Sequence, residues 1–190
     1  MTVAGVVLAA GAGTRFLDDD HHKLTAAFRG RPLVQWAVEA ADRAGFNQLY
    51  VVTGAVDLSA EVAEVVGSRA TILHNPRWAE GQATSLAAAV VAARRDGHRA
   101  IVVGLADQPL IPASAWRSVG ASAGEVVTAT FDGVRRPPVK LERTVWDLLP
   151  DAGDEGARSL FRQRPELVSE LPCSGNPIDI DTQEELRRWS

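Results

Sequence analysis

Short runs of β-branched and aliphatic residues alternate with longer stretches in which apolar residues recur every three or four positions, from the first residues to about position 110. The short runs, Val3–Ala9, 49–53, 71–74 and Ala100–Leu105, predict strands buried on both faces. Between them, 33–44 sets Leu33, Trp36, Ala37, Ala40 and Ala44 at helical spacing, 60–66 is a short helical stretch, and 84–95 is alanine-rich with the same period. Strand and helix in strict alternation predict parallel strands joined by crossover helices, a three-layer α/β/α fold with a mostly parallel central sheet. Past position 110 the elements shorten. Pro112 suits the first turn of a helix running to about 122, 125–131 reads as a strand and 139–141 as its partner. The stretches 144–149 and 154–164 look helical, 167–171 is extended, and 182–189 closes the chain as a helix.

Length and charge narrow this picture. At 190 residues the chain has the size of one domain, here 1–190, with enough residues to bury a full core. The net charge of −4 comes from acids and bases mixed along the chain, so no broad basic face for nucleic acid is expected. The single cysteine, Cys173, cannot form an internal disulfide; it is expected to be packed, in a reducing compartment. No apolar run approaches the roughly 18 residues of a membrane span, and no basic leader with a cleavable apolar segment opens the sequence. The expectation is a soluble, cytoplasmic protein.

The chemistry concentrates after the first strand, in "LAAGAGTRFLDDDHHKL", residues 8–24. Ligands of open parallel sheets bind outside the carboxyl ends of the strands, and the loop after the first strand is the common phosphate site. Gly11 and Gly13 let backbone amides approach a phosphate, and Arg15 and Lys23 add positive charge beside it. Two alternatives fail on spacing. The third glycine of a dinucleotide fingerprint is replaced by Phe16, and no Gly-Lys-Ser/Thr follows as a P-loop requires. The run Asp18-Asp19-Asp20-His21-His22 is expected to be a solvated insertion, since adjacent histidines seldom point at one ion. His74 and His98 lack partner spacing and are given no role.

The segment Leu8-Ala9-Ala10-Gly11-Ala12-Gly13-Thr14-Arg15, followed by Lys23-Leu24 and Gly30-Arg31-Pro32-Leu33, resembles the signature of the MobA-like nucleotidyltransferases, which have a Rossmann-like fold. Within that superfamily the chain is most similar to molybdenum cofactor cytidylyltransferases. "NPRWAEGQATSL" (75–86), "LADQP" (105–109), "GDEGARSLF" (153–161) and "IDIDTQEEL" (178–186) recur in the family's order. The resemblance implies that Leu8, Ala9, Ala10, Gly11 and Gly13 wrap a nucleoside triphosphate, that Arg15 and Lys23 hold its phosphates, and that Gly81 and Ser85 close over the base. Ala10 stands where guanylyl members carry glycine, so it favours CTP over GTP.

Nucleotidyl transfer needs an attacking oxygen in line with the α-phosphorus and neutralisation of charge on the departing pyrophosphate. Hard cations held by carboxylates supply the second. Asp107, just past the strand Ala100–Leu105 and before Pro109, resembles the family's metal-binding aspartate. The second carboxylate is expected from Asp179-Ile180-Asp181-Thr182, where alternation along a strand sends Asp179 and Asp181 to one side and either Asp181 or Thr182 caps the last helix. Similarity to related cytidylyltransferases favours Asp181. The chain departs from the family at Arg136-Pro137-Pro138, where cofactor cytidylyltransferases have Gly-His-Pro facing the acceptor. Arg135 and Arg136 suit an acceptor phosphate.

The expectation is a Mg²⁺-dependent enzyme with a nucleotide-binding half over about 1–110 and an acceptor-binding half over about 111–190. It moves CMP from CTP to a phosphorylated acceptor, molybdopterin or its metal-loaded form, with Arg15, Lys23 and Asp107 catalytic and Asp107 and Asp181 on the metal. A molybdenum hydroxylase is the implied recipient. Three alternatives stay open: GTP or another acceptor, a flavin- or nicotinamide-dependent oxidoreductase on the same scaffold, as in relatives that reduce nicotine blue, and a nucleotide-binding regulator without turnover.

Overall fold

The computed structural model describes residues 2–16 and 22–190; Leu17 through His21, with most of the expected insertion, lie outside the described residues. Among the described residues there are nine strands and six α-helices. The strands are β1 (Val3–Ala9), β2 (Ala27–Phe28), β3 (Arg31–Pro32), β4 (Gln48–Thr53), β5 (Ala70–His74), β6 (Ala100–Leu105), β7 (Val126–Phe131), β8 (Val134–Glu142) and β9 (Val168–Pro172). The helices are α1 (Leu33–Arg43), α2 (Ser59–Val66), α3 (Gln82–Arg95), α4 (Ala113–Ala121), α5 (Arg158–Gln163) and α6 (Gln183–Trp189).

Seven strands form one sheet in the order β5-β4-β1-β6-β8-β7-β9, while β2 and β3 pair as a small antiparallel hairpin. All its neighbours run parallel except β8, which is antiparallel to both β6 and β7. The period-two alternation of strand side chains divides the core between two faces. Val7 and Ala9 of β1 face α1, α2 and α4, together with Val51 and Val102. Val6 and Leu8 face α3 and α5, with Val52 and Val103. The result is the Rossmann-like three-layer α/β fold. Among the described residues no helix is long and apolar enough to cross a membrane.

Several elements differ from the sequence expectation. Pro112 is the N-cap of α4, one place before its first turn. The stretch 144–149 is a 3-10 helix, Arg143–Leu148. Helix α5 starts only at Arg158, because Gly153 and Gly156 both take positive φ and break the expected 154–164 helix into a loop and a short helix. Strand β8 is nine residues long rather than three. Its ladder with β7 passes from Thr128 opposite Val139 directly to Ala129 opposite Arg136. Pro137 and Pro138 bulge out between them, the arrangement that lets proline sit inside a sheet.

Candidate nucleotidyl-transfer site

The site lies where β1 and β6 end side by side, the Ala106 N–H donating to the Leu8 carbonyl across the junction at 3.1 Å. A cleft of about 400 Å³ opens there, lined by the loop from Ala10 to Arg15, by Lys23, by the first turn of α3, and by Asp107 and Asp181. Leu8, Gly81 and Ser85 line it as well. Ala9 does not: its side chain is 2 % exposed and packs into the core on the opposite face of the sheet, as alternation along β1 requires.

Gly11 and Gly13 serve different ends. A side chain at Gly11 would meet no protein atom within 4 Å, so glycine there leaves open space facing the cleft. Gly13 has φ +64 and lies against Lys23, whose Cβ would be 3.0 Å from an added methyl. Left-handed backbone and close approach both require glycine at that point.

Lys23 is the centre of the charge arrangement. Its Nζ donates to Asp107 Oδ2 at 2.7 Å and to Asp181 Oδ1 at 2.9 Å, with its side chain only 10 % exposed. Arg15, on the rim, reaches the other oxygen of Asp181 at 2.9 Å. Burial works against the Lys23 ammonium, but the two carboxylates outweigh it and hold its pKa above the ordinary lysine value. The second oxygen of Asp107 is buried and has no hydrogen-bond partner among the described residues.

Residues 158 positions apart meet because one extended segment is stitched to the turn after β6. The Ile180 N–H donates to the Asp107 carbonyl at 2.9 Å, and Gln108 Nε2 donates to Asp179 Oδ1 at 2.9 Å. This segment is not the strand the sequence suggested, yet it is extended enough that Ile180 turns into the core while its neighbours turn out. Asp179 is held by Gln108 and does not line the cleft; burial, then the charge of Asp107, pushes its pKa above the usual carboxylate value. Thr182, not Asp181, caps α6. Thr182 Oγ1 accepts from the Glu185 N–H while the Glu185 carboxylate accepts from the N–H groups of both Thr182 and Asp181. This capping box fixes the backbone of Asp181 and leaves its carboxylate for the cleft.

The α3 side of the cleft is built around Asn75 and Gly81. Asn75 is 4 % exposed and donates to Thr84 Oγ1 at 2.8 Å and Ser85 Oγ at 2.9 Å, tying the turn after β5 to the start of α3 and orienting Ser85. Gly81, the N-cap of α3 at φ +106, packs directly on the backbone of Gly153. Reciprocal hydrogen bonds, Ala83 N–H to the Gly153 carbonyl and Gly153 N–H to the Glu80 carbonyl, close that contact.

Sequence reasoning passed over three residues here. His22, expected in a solvated charge run, is half-buried, donating from Nε2 to the Gly11 carbonyl at 3.0 Å and accepting the Leu24 N–H at Nδ1 at 3.2 Å. It thereby links the glycine loop to the backbone beside Lys23. Burial, opposed by the Gly11 carbonyl, leaves its pKa below the ordinary histidine value. Trp78 lines the cleft as Gly81 does; an aromatic residue three places before the N-cap glycine was the available signal. Nothing in the 75–86 motif singles out Asn75 before its hydrogen bonds to Thr84 and Ser85 are seen.

Among the described residues no set of three or more His, Cys, Asp or Glu side chains converges to hold a metal ion. Two carboxylates do converge, which is the protein share typical of Mg²⁺ bound mainly through substrate phosphates and water.

Comparison with known proteins gives the family of the chain. The model of the MobA-like NTP transferase domain matches residues 5–168. Nicotine blue oxidoreductase of Paenarthrobacter nicotinovorans is 32 % identical, covering 98 % of this chain and 95 % of its own. The purine catabolism protein PucB of Bacillus subtilis is 29 % identical, covering 95 % and 92 %. Rv0371c of Mycobacterium tuberculosis, whose structure is known in a manganese complex, superposes with a TM-score of 0.75 at 27 % identity, over 100 % of this chain and 98 % of that one. The matched span takes in the glycine loop, Lys23, Gly81 and Asp107, and the chain belongs to the MobA-like NTP transferase family of nucleotidyltransferases.

Proposed function

We propose that the protein transfers CMP from CTP to a phosphate oxygen of a small acceptor and releases pyrophosphate. The observation that carries this reading is the Asp107–Lys23–Asp181 cluster at the mouth of the glycine loop. The triphosphate lies along Gly11 to Arg15, with Arg15 and Lys23 on its phosphates and the base between Ala10, Gly81 and Ser85. Asp107 and Asp181 hold a divalent cation, Mg²⁺ in this reading, and the unpartnered buried oxygen of Asp107 suits such an ion. When bound, the ion neutralises charge on the phosphates and favours departure of pyrophosphate.

The chain's own residues do the rest. Lys23 is held as an ammonium between two carboxylates and turns that charge toward phosphate oxygens when they arrive. His22 keeps the glycine loop in register with Lys23. The acceptor oxygen attacks the α-phosphorus, the bond from that phosphorus to the oxygen bridging to the β-phosphate breaks, and a phosphoanhydride forms with no covalent enzyme intermediate. Molybdopterin, the acceptor named by the resemblance, is the first to assay, in a cytoplasmic setting and with a molybdenum enzyme as the eventual recipient.

A pyrophosphate-release assay with CTP and GTP, each with Mg²⁺ and Mn²⁺, tests the reading. CTP-dependent release on addition of a phosphorylated acceptor is expected; release from GTP alone overturns the choice of base. One observation favours a second reading, an oxidoreductase using NAD(P)H or a flavin: the nearly full-length similarity to a protein named nicotine blue oxidoreductase. It leaves the buried Lys23 cluster without a task. A flavin absorption band, or oxidation of NAD(P)H without pyrophosphate release, selects it.

A further inference from the structure

The chain has only two lysines, Lys23 and Lys140, and both are buried. Lys140, in β8, is fixed away from the cleft: its Nζ donates to the Ser122 carbonyl at 2.5 Å and lies 3.3 Å from Glu142. Lys23 is placed differently, because its ammonium lies between the two carboxylates that would hold the divalent cation. It takes one oxygen from each, Asp107 Oδ2 at 2.7 Å and Asp181 Oδ1 at 2.9 Å. Among the described residues the other two oxygens offer no second seat. Asp107 Oδ1 is buried, and Asp181 Oδ2 is bonded to Arg15 at 2.9 Å. A cation such as Mg²⁺, which binds carboxylate oxygens at about 2.1 Å, therefore has to take the place of the ammonium.

The balance of charge points the same way. Among the described residues, the charged groups lining the cleft are Arg15, Lys23, Asp107, Asp154 and Asp181. Asp154 lies against Gly81, so at the end where Asp107 and Asp181 meet, two cations answer two carboxylates. An ion arriving alone brings two positive charges to a balanced, partly buried cluster and strands an ammonium there. A triphosphate arriving alone draws the ammonium off and leaves two carboxylates unpaired beside its phosphates. Arriving together, the phosphates receive the ammonium and the carboxylates receive the ion. Lys23 is built for that exchange: a methyl added to Gly13 would stand 3.0 Å from its Cβ, so its stem starts beside the glycine loop, and the flexible four-carbon chain carries the charge.

We infer that Lys23 is a built-in counter-cation, holding the seat of the divalent ion until a triphosphate draws the ammonium away, so that ion and nucleotide bind tightly only together. The inference rests on the nucleotidyl-transfer reading and adds to it the means by which metal entry waits for substrate. The factor by which CTP raises affinity for the ion then equals the factor by which the ion raises affinity for CTP.

The test is calorimetric titration of Mn²⁺ into the whole chain without nucleotide, in wild type, Lys23→Met and Arg15→Met. Lys23→Met is expected to bind Mn²⁺ at least 10-fold more tightly than wild type, and to lose that gain when combined with Asp107→Asn. Arg15→Met removes the same charge from a side chain that is 73 % exposed and leaves the ammonium in its seat, so its gain is expected to stay below 3-fold. Should Lys23→Met fail to fold, the wild type decides alone. With ¹³C at the lysine Cε positions the two lysines give two NMR signals; Mg²⁺ without nucleotide is expected to leave both in place, and Mg²⁺ with CTP to move the Lys23 signal. Equal Mn²⁺ affinity in wild type and Lys23→Met, an equal gain in Arg15→Met, a Lys23 signal moved by Mg²⁺ alone, or one unmoved when CTP and Mg²⁺ bind overturns the counter-cation role and leaves nucleotidyl transfer standing. Failure of the wild-type protein to bind CTP with Mg²⁺ overturns the reading beneath it.

Discussion

Gly81 and Gly153 form a matched pair of probes for the α3 side of the cleft. Both have positive φ, +106 and +90, so alanine at either forces a side chain into backbone geometry that favours glycine. With ψ at 168°, Gly81 lies in a region that is essentially glycine-only, a cost of about 1–3 kcal/mol. Left-handed strain at Gly153 is about 1–2 kcal/mol. Their surroundings differ completely. A methyl on Gly153 meets nothing within 4 Å, whereas one on Gly81 falls against the Gly153 carbonyl carbon, 2.5 Å from its oxygen and 2.8 Å from Asp154 Oδ1. Backbone atoms cannot rotate aside, so the 153–156 loop must lift from the start of α3. That movement breaks the two reciprocal hydrogen bonds, each contributing about 0.5–1.5 kcal/mol. Gly81→Ala is therefore expected to destabilise by about 1–3 kcal/mol more than Gly153→Ala, within the 5–15 kcal/mol that keeps a domain folded. Urea unfolding at matched m-values measures the difference, and CTP titration is expected to follow it, with the larger loss in Gly81→Ala. Equal destabilisation by the two substitutions would refute the close-approach argument.

Three further outcomes follow from the cluster and its supports. Lys23→Met leaves Asp107 and Asp181 facing each other without their ammonium; removing one partner of a buried pair costs about 3–5 kcal/mol. Added Mn²⁺ is expected to recover much of that stability in thermal unfolding, and an unchanged melting point with Mn²⁺ would argue against a cation site there. His22 is held neutral with its pKa below 6.5, so the unfolded chain binds the extra proton first. Its contribution is complete above pH 6.5 and is lost as the pH falls through the folded-state value; unfolding measured against pH should show this loss in wild type and a flatter curve in His22→Phe. Thr182→Val removes the cap of α6, at about 0.5–2 kcal/mol, and frees the backbone of Asp181. Metal-dependent CTP affinity should fall in Thr182→Val and be retained in Thr182→Ser.

What was legible in the sequence was what local pattern alone determines. The runs at β1 and β6 are β-branched, buried on both faces and bounded by polar loops, so their limits coincide with the structure. That Lys23, Asp107 and Asp181 share one site was expected from the resemblance of three separated motifs, whereas the pairing of the lysine with both carboxylates appears only in the structure. What escaped depended on tertiary contact. Strand β8 hides behind Pro137 and Pro138, and only pairing on either side of the bulge reveals that the strand continues. His22 sits at the end of a charge run that reads as solvent-exposed, while its two hydrogen bonds reach Gly11 and Leu24. Asp179 alternates with Asp181 as a strand residue would, but Gln108 holds it outside the cleft, a partner 71 positions away.

The central claim is that Asp107 and its partners make a metal-dependent nucleotide site, and calorimetric titration with CTP and GTP tests it most directly, with and without Mg²⁺, in wild type and Asp107→Ala. The account predicts CTP binding that requires Mg²⁺, weaker binding of GTP, and a loss on the order of 10²–10³-fold in a variant that remains folded by circular dichroism. CTP affinity that ignores Mg²⁺, or that survives intact in Asp107→Ala, would contradict it.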